Sequence, residues 1–200
     1  PASLFPEYEY KLPNIEVIQE EKQLKKWIKT LESKESYAFD CETDSLDEMN
    51  TMPVGFSFAL EDGSACYVPI KAPYMACMPP ETIKKHLAPF LADNRPCIIG
   101  HNLKFDMHVM ENWGCPINSR PWDTMVAAWL LDPEQDSLKL ERLGERFLGH
   151  AGSSFGDIVP KGECFSSVNI NTAAAYCAED SIMAMELKKL FEKQLKENSL

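Results

Sequence analysis

The stretch SYAFDCETDSLD, residues 36–47, decides both the fold and the chemistry. Tyr37-Ala38-Phe39 is an apolar run that delivers Asp40 and Glu42 at its end. On a strand, residues two apart point the same way. Asp40 and Glu42 therefore share a face, while Phe39 and Cys41 share the other. Two carboxylates this close repel, and burial raises at least one pKa unless a cation sits between them. The plainer alternative is a strand that ends here with its acids solvated.

Outward from this strand the pattern alternates. Upstream, Leu24, Trp27, Ile28 and Leu31 recur at helical spacing. Downstream, MPVGFSFALEDGSACYVPI reads as two β-rich runs around Glu61-Asp62-Gly63, a hairpin. PPETIKKHLAPFLADN is a helix that Pro89 kinks or ends, and PCIIGHN is a short buried strand. LKFDMHVMENWG is a helix closed by Gly114. Further helices are expected at TMVAAWLLD and SLKLERLGERFLG, then a Gly/Ser-rich loop over 150–171. A long last helix has Asn171 as its expected N-cap. Residues 1–14, with Pro1, Pro6 and Pro13, read as a linker or extended arm, and 15–200 as one domain. Strands followed by alternating helix and strand predict an α/β fold, a mixed sheet with helices packed on it.

The composition narrows the function. Hydrophobic content of 44% and charged content of 26% over 200 residues suit one globular domain. No apolar run approaches the roughly 20 residues of a membrane-spanning helix, and no secretory signal opens the sequence. Seven scattered cysteines without C-x-x-C argue against a disulfide framework or structural zinc; reduced core thiols in a cytosolic compartment are the simpler reading. A net charge of −11 disfavours tight unaided binding to nucleic acid, yet allows a nucleic-acid enzyme whose acids hold metal. The four histidines show no zinc spacing and read as surface or helix-end residues. Phosphate-binding glycine loops and the G-x-S-x-G elbow are absent.

Two more acids interrupt apolar rows. Asp106 sits in the stripe Leu103, Met110, Trp113, where it also complements a helix N-terminus. Asp180 follows Tyr176 by one turn in the row Tyr176, Asp180, Met183, Leu187, where a Tyr–Asp hydrogen bond is the plainer reading. Four carboxylates from three elements need compensation of about several kcal/mol per buried charge. Hard divalent cations held by oxygen ligands provide it, and two such ions suit phosphoryl displacement.

At these residues the sequence resembles a known family. FDCETDSLD, GHNLKFD and YCAED are similar to the three motifs of the DEDD 3′–5′ exonucleases: Asp-x-Glu, a second motif ending in Asp106, and Tyr-x-x-x-Asp ending in Asp180. The sequence resembles the proofreading domain of bacterial DNA polymerase I, a family A polymerase, over about residues 15–195. One subclass carries His five residues before the last Asp, where this chain has Ala175; Tyr176 fits the Tyr subclass. The resemblance implies a ribonuclease H-like sheet with helices on both faces and a magnesium- or manganese-dependent exonuclease. It implies one ion on Asp40, Glu42 and Asp180, a second on Asp40 and Asp106, and Tyr176 orienting the attacking water. With a reference pKa near 10, Tyr176 is a positioner rather than the base. Leu46, Asn102, Phe105 and Phe155 match positions that grip a single-stranded DNA 3′ end; Leu46 and Phe155 also suit plain packing. Cys41 replaces a common Thr and is expected to point away without effect.

The implied partners are DNA and a polymerase domain of the same polypeptide, in the cytoplasm. The Pro-rich start favours an excised domain over a free-standing exonuclease. The open alternatives are an RNA-trimming enzyme of the ribonuclease D type and a non-catalytic module of a polymerase. The presence of all four acids weighs against the latter.

Overall fold

The structure, a computed structural model, describes residues 14–200. The arm expected over 1–14 lies outside the described residues except for Asn14, which opens the first strand.

Six strands form one mixed sheet. In chain order they are β1 (Asn14–Val17), β2 (Ser36–Thr43), β3 (Pro53–Ala59), β4 (Ser64–Pro69), β5 (Cys97–Gly100) and β6 (Arg120–Asp123). Their spatial order is β1-β4-β3-β2-β5-β6. β2, β3 and β4 are antiparallel; β5 and β6 extend the sheet parallel to β2, and β1 runs parallel to β4. The hairpin turns at the expected place, with Gly63 in the left-handed region. β1 and β6 escaped the sequence reading. Each is a four-residue edge strand, too short for a periodicity, and β6 contains Pro121, which an edge tolerates.

The alternation along β2 sorts the core into two layers. Tyr37, Phe39 and Cys41 join Phe56 and Phe58 beneath α1 (Glu21–Glu32), α2 (Pro80–Leu91) and α3 (Leu103–Asn112). Burying each such aromatic contributes about 1.5–3 kcal/mol. On the opposite face Ala38, Ala59 and Ala65 lie in register across three strands. They pack against Ala178, Ile182 and Met185 of a long helix. Small side chains on both partners let that helix lie close to the sheet.

Between β6 and the long helix come α4 (Thr124–Leu131), α5 (Leu140–Leu143) with a π-helical continuation over Gly144–Leu148, and α6 (Phe155–Ile158). The long helix is α7 (Ile170–Glu197). Two expectations change here. The loop over 150–171 contains α6 and a 3₁₀ turn at Phe165–Ser167. The N-cap of α7 is Asn169, whose side chain accepts from the Asn171 N–H. Pro89 sits in the last turn of α2, which ends two residues later. Among the described residues no helix is long and apolar enough to cross a membrane.

Candidate active site

The site forms where β2 outruns its neighbour. Pairing of β2 with β5 ends at Ala38↔Ile99, so the residues beyond lack a strand on that side. On the other side the register with β3 slips between Glu42 and Thr43. Such an irregularity bends a strand end and re-aims its side chains. Opposite Glu42 stands Gly55, where any side chain would run into the Tyr67 ring.

Asp106 arrives from the other face of the sheet, on the first turn of α3. Its Oδ1 accepts the free Cys41 N–H at 2.9 Å. The Cys41 thiol points into the aromatic layer as expected, but its main chain anchors a candidate ligand. α3 begins abruptly: Asn102 adopts a left-handed φ of 58°. Asp123 makes this turn possible. Its carboxylate accepts from Asn102 N at 3.1 Å and Leu103 N at 2.8 Å, and also from Met125 N of α4 at 2.8 Å. One side chain thus caps two helices, a role invisible before the chain is folded.

Asp180 and Tyr176 come from α7, which crosses the face that carries Asp40 and Glu42. Burial first, then repulsion from Asp40, Asp180 and Asp106, pushes the Glu42 carboxyl well above its usual range. Burial and repulsion from Asp40 do the same to Asp106. Asp180 is raised by burial and by Asp40, Glu179 and Glu141, and the nearby Tyr176 hydroxyl offsets part of the rise. Asp40 is pushed up to about 6, mainly by burial. Burial and the same acids raise the Tyr176 phenol well above its usual value, so it remains a proton donor at neutral pH. Among the described residues the chief influences on the four carboxylates are burial, other acids, thiols, a phenol and main-chain amides. An uncompensated cluster of this kind fits divalent cations.

The structure brings Asp40, Glu42, Asp106, Asp180 and Tyr176 into one electrostatic neighbourhood. It also brings in Cys177, read from sequence as a small core residue. Donor atoms of Asp40, Glu42 and Cys177 all lie within 4.8 Å of one another. The signal was present in the spacing: Cys177 precedes Asp180 by three residues and so shares its side of the helix.

The four residues expected to grip a 3′ end are less alike. Leu46 is 90% exposed and Phe155 48% exposed. The Phe155 ring stacks on Phe165 with centroids 6.2 Å apart. Asn102 is exposed at the head of α3, whereas Phe105 packs partly against the aromatic layer. Asp44 holds the Leu46 loop toward the 3₁₀ turn by accepting from Ser166 N at 2.8 Å.

The histidines correct the sequence reading. His86 meets Glu21 at 2.6 Å, and His150 meets Glu179 at 2.7 Å. Glu179 also accepts from Ser153 N and so ties the 150–154 segment down beside Asp180. His101 is held by Thr124 Oγ1 at 2.9 Å, and burial lowers its pKa to about 4.

Residues 15–196 match the family model described as 3′-5′ exonuclease. The chain belongs to the 3′–5′ exonuclease family. DNA polymerase I of Pseudomonas aeruginosa is 33% identical over 177 residues, 84% of this chain and 19% of that protein. The chain thus spans about a fifth of the length of the curated relatives it matches. Among solved structures, the polymerase-domain structure of M. smegmatis Pol1 with DNA primer-template and dNTP has a TM-score of 0.71 at 18% identity. It covers 91% of this chain and 28% of that one. Trypanosoma brucei RNase D also reaches a TM-score of 0.71, at 13% identity, over 90% of this chain and 64% of that one. Both likenesses show the fold alone, a ribonuclease H-like mixed sheet. The 3′–5′ exonuclease family generally uses divalent metals, and Asp40, Glu42 and Cys177 bring three donor atoms together here.

Proposed function

We propose that this 3′–5′ exonuclease removes nucleoside 5′-monophosphates from single-stranded DNA 3′ ends, as the proofreading part of a DNA polymerase I acting in the cytoplasm. What supports the reading is that burial raises the carboxyls of Asp40, Glu42, Asp106 and Asp180, with the Asp40 charge acting on each of the other three.

Asp40, Glu42 and Asp180 would hold one ion, and Asp40 and Asp106 a second, with Mg²⁺ or Mn²⁺ the species that suit oxygen donors. When bound, such a pair stabilises the attacking and leaving oxygens of phosphodiester hydrolysis. The chain's own residues supply position. Tyr176, kept protonated, donates its hydrogen bond and orients the attacking water. Leu46 and Phe155 present exposed apolar surface that wedges and stacks the terminal bases, with Asn102 and Phe105 contacting the last nucleotide. Stacking tolerates every base, as removal of any mismatched end requires.

A net charge of −11 leaves the chain a poor DNA binder on its own. A polymerase portion of the same polypeptide would hold the duplex and deliver a frayed end. The test is digestion of 3′-labelled single-stranded DNA and of the matched RNA with Mg²⁺, with chelator, and with Asp40→Ala. Release of monophosphates from DNA, lost in the latter two, is expected. Preferential digestion of RNA would transfer the assignment to an RNA-trimming enzyme.

A further inference from the structure

The connection between β2 and β3, residues 44–52, bonds its polar groups to one another and leaves its apolar side chains in solvent. The Asp47 carboxylate accepts from Met49 N at 3.2 Å and Asn50 Nδ2 at 2.8 Å, and its carbonyl accepts from Thr51 N at 2.9 Å. Thr43 Oγ1 donates to the Ser45 carbonyl at 2.7 Å. On this fixed frame Met49 is 61% and Met52 44% exposed, in the same loop as the exposed Leu46. Three large apolar side chains within seven residues are a patch, not scattered single exposures.

Two anchors set the direction of the loop. At its root Asp44 accepts from Ser166 N, next to the Phe155–Phe165 stack. Farther out the Glu48 carbonyl accepts from Asn112 Nδ2 at 2.7 Å. Asn112 ends α3, whose first turn carries Asp106. The two are about 9 Å apart along the helix at 1.5 Å per residue. The loop thus leads from the end of β2, beside Glu42, out along α3. A stacked strand advances about 3.4 Å per nucleotide, so Met49, next to Glu48, stands about two to three nucleotides from the carboxylate cluster.

The chemistry of the loop selects its ligand. A methionine thioether is flexible and polarisable, and it gains by contact with aromatic rings. Every base offers such a ring, so the contact is blind to sequence. The acids Asp47 and Glu48 repel phosphates, so a strand lying here turns its bases to the loop and its backbone away. We propose that Met49 and Met52 extend the Leu46 surface into a platform for the bases that precede the 3′-terminal nucleotide of a single strand. The proposal rests on the reading of this chain as an exonuclease acting on DNA 3′ ends.

The test compares digestion of a dinucleotide and of a mixed-sequence dodecamer of single-stranded DNA by the 200-residue chain with Mg²⁺. A thioether–ring contact is worth about 2–10-fold in affinity. Met49→Gln combined with Met52→Gln should therefore raise the dodecamer KM at least about fivefold, with kcat unchanged. The dinucleotide is too short to reach the outer loop and should register neither change. Met49→Leu combined with Met52→Leu keeps the apolar surface and should stay within about twofold of the unaltered chain. Both side chains are exposed, so the variants should fold, which the far-ultraviolet spectrum checks. An unchanged dodecamer KM in the glutamine variant overturns the proposal and assigns the methionines to a protein partner. Equal losses on both substrates overturn it in favour of a structural role. If the unaltered chain digests neither substrate, anisotropy of a fluorescent dodecamer at low salt decides. Weaker binding by the glutamine variant then keeps the platform and refutes the exonuclease; equal or absent binding overturns both.

Discussion

Removing the Asp40 charge should stabilise the metal-free protein, and the gain should depend on pH. Burial holds the Asp40 carboxyl at about 6 in the folded chain, against an ordinary 3.8. Between those values the folded state binds more protons than the unfolded state, so stability falls as pH rises. Below the lower value both states are protonated and nothing is lost; above the higher one the full penalty is present. At 1.36 kcal/mol for each factor of ten in acidity, that penalty is about 3 kcal/mol. Burial and repulsion also raise Glu42, Asp106 and Asp180 well above their usual range, so their ionisation adds to the fall as pH rises. Asp40→Asn removes one charge from the cluster and keeps its size. In chelator at pH 8 the variant should be about 3 kcal/mol more stable than the parent, about 6–12 °C in Tm for a chain of this length. The two should converge toward pH 4. Urea and thermal denaturation at stepped pH measure the difference, and Mn²⁺ should then rescue the parent more than the variant. A variant less stable than the parent at pH 8, or a gap that ignores pH, would refute the repulsive cluster.

Three further outcomes are expected. Asp180→Ala should lower 3′ digestion about a thousandfold or more while the far-ultraviolet spectrum is unchanged, because a bound metal supplies several kcal/mol to the transition state and about 1.4 kcal/mol is tenfold. Tyr176→Phe should lower kcat by up to about a hundredfold with little change in KM, as misplacement of a reactant does. Its pH–rate profile near neutrality should not move, since the phenol stays protonated throughout. Asp123→Ala should cost about 2 kcal/mol by urea denaturation, about 1 kcal/mol for each of the two helix starts it caps, and should also slow digestion by loosening the start of α3.

Much of the site was legible in one dimension because its signals are local. The two-residue period of β2 placed Asp40 with Glu42, and the helical period of α7 placed Tyr176 with Asp180. Acids standing in apolar rows announced that something cationic belongs among them. Those residues and their spacing determined the fold class and the candidate centre. Only the tertiary structure decided how the rows meet. Asp106 reaches the cluster because β2 outruns β5 and leaves the Cys41 N–H to bond it. Asp123 caps two helices because β6, a strand too short to announce itself, ends where both begin. Cys177 stands against Asp40 because alanines on α7 and the sheet let the two approach closely. Apart from the local cap of Asp123 on α4, each of these contacts joins residues at least twenty positions apart, and no periodicity within one element records what a distant element will bring.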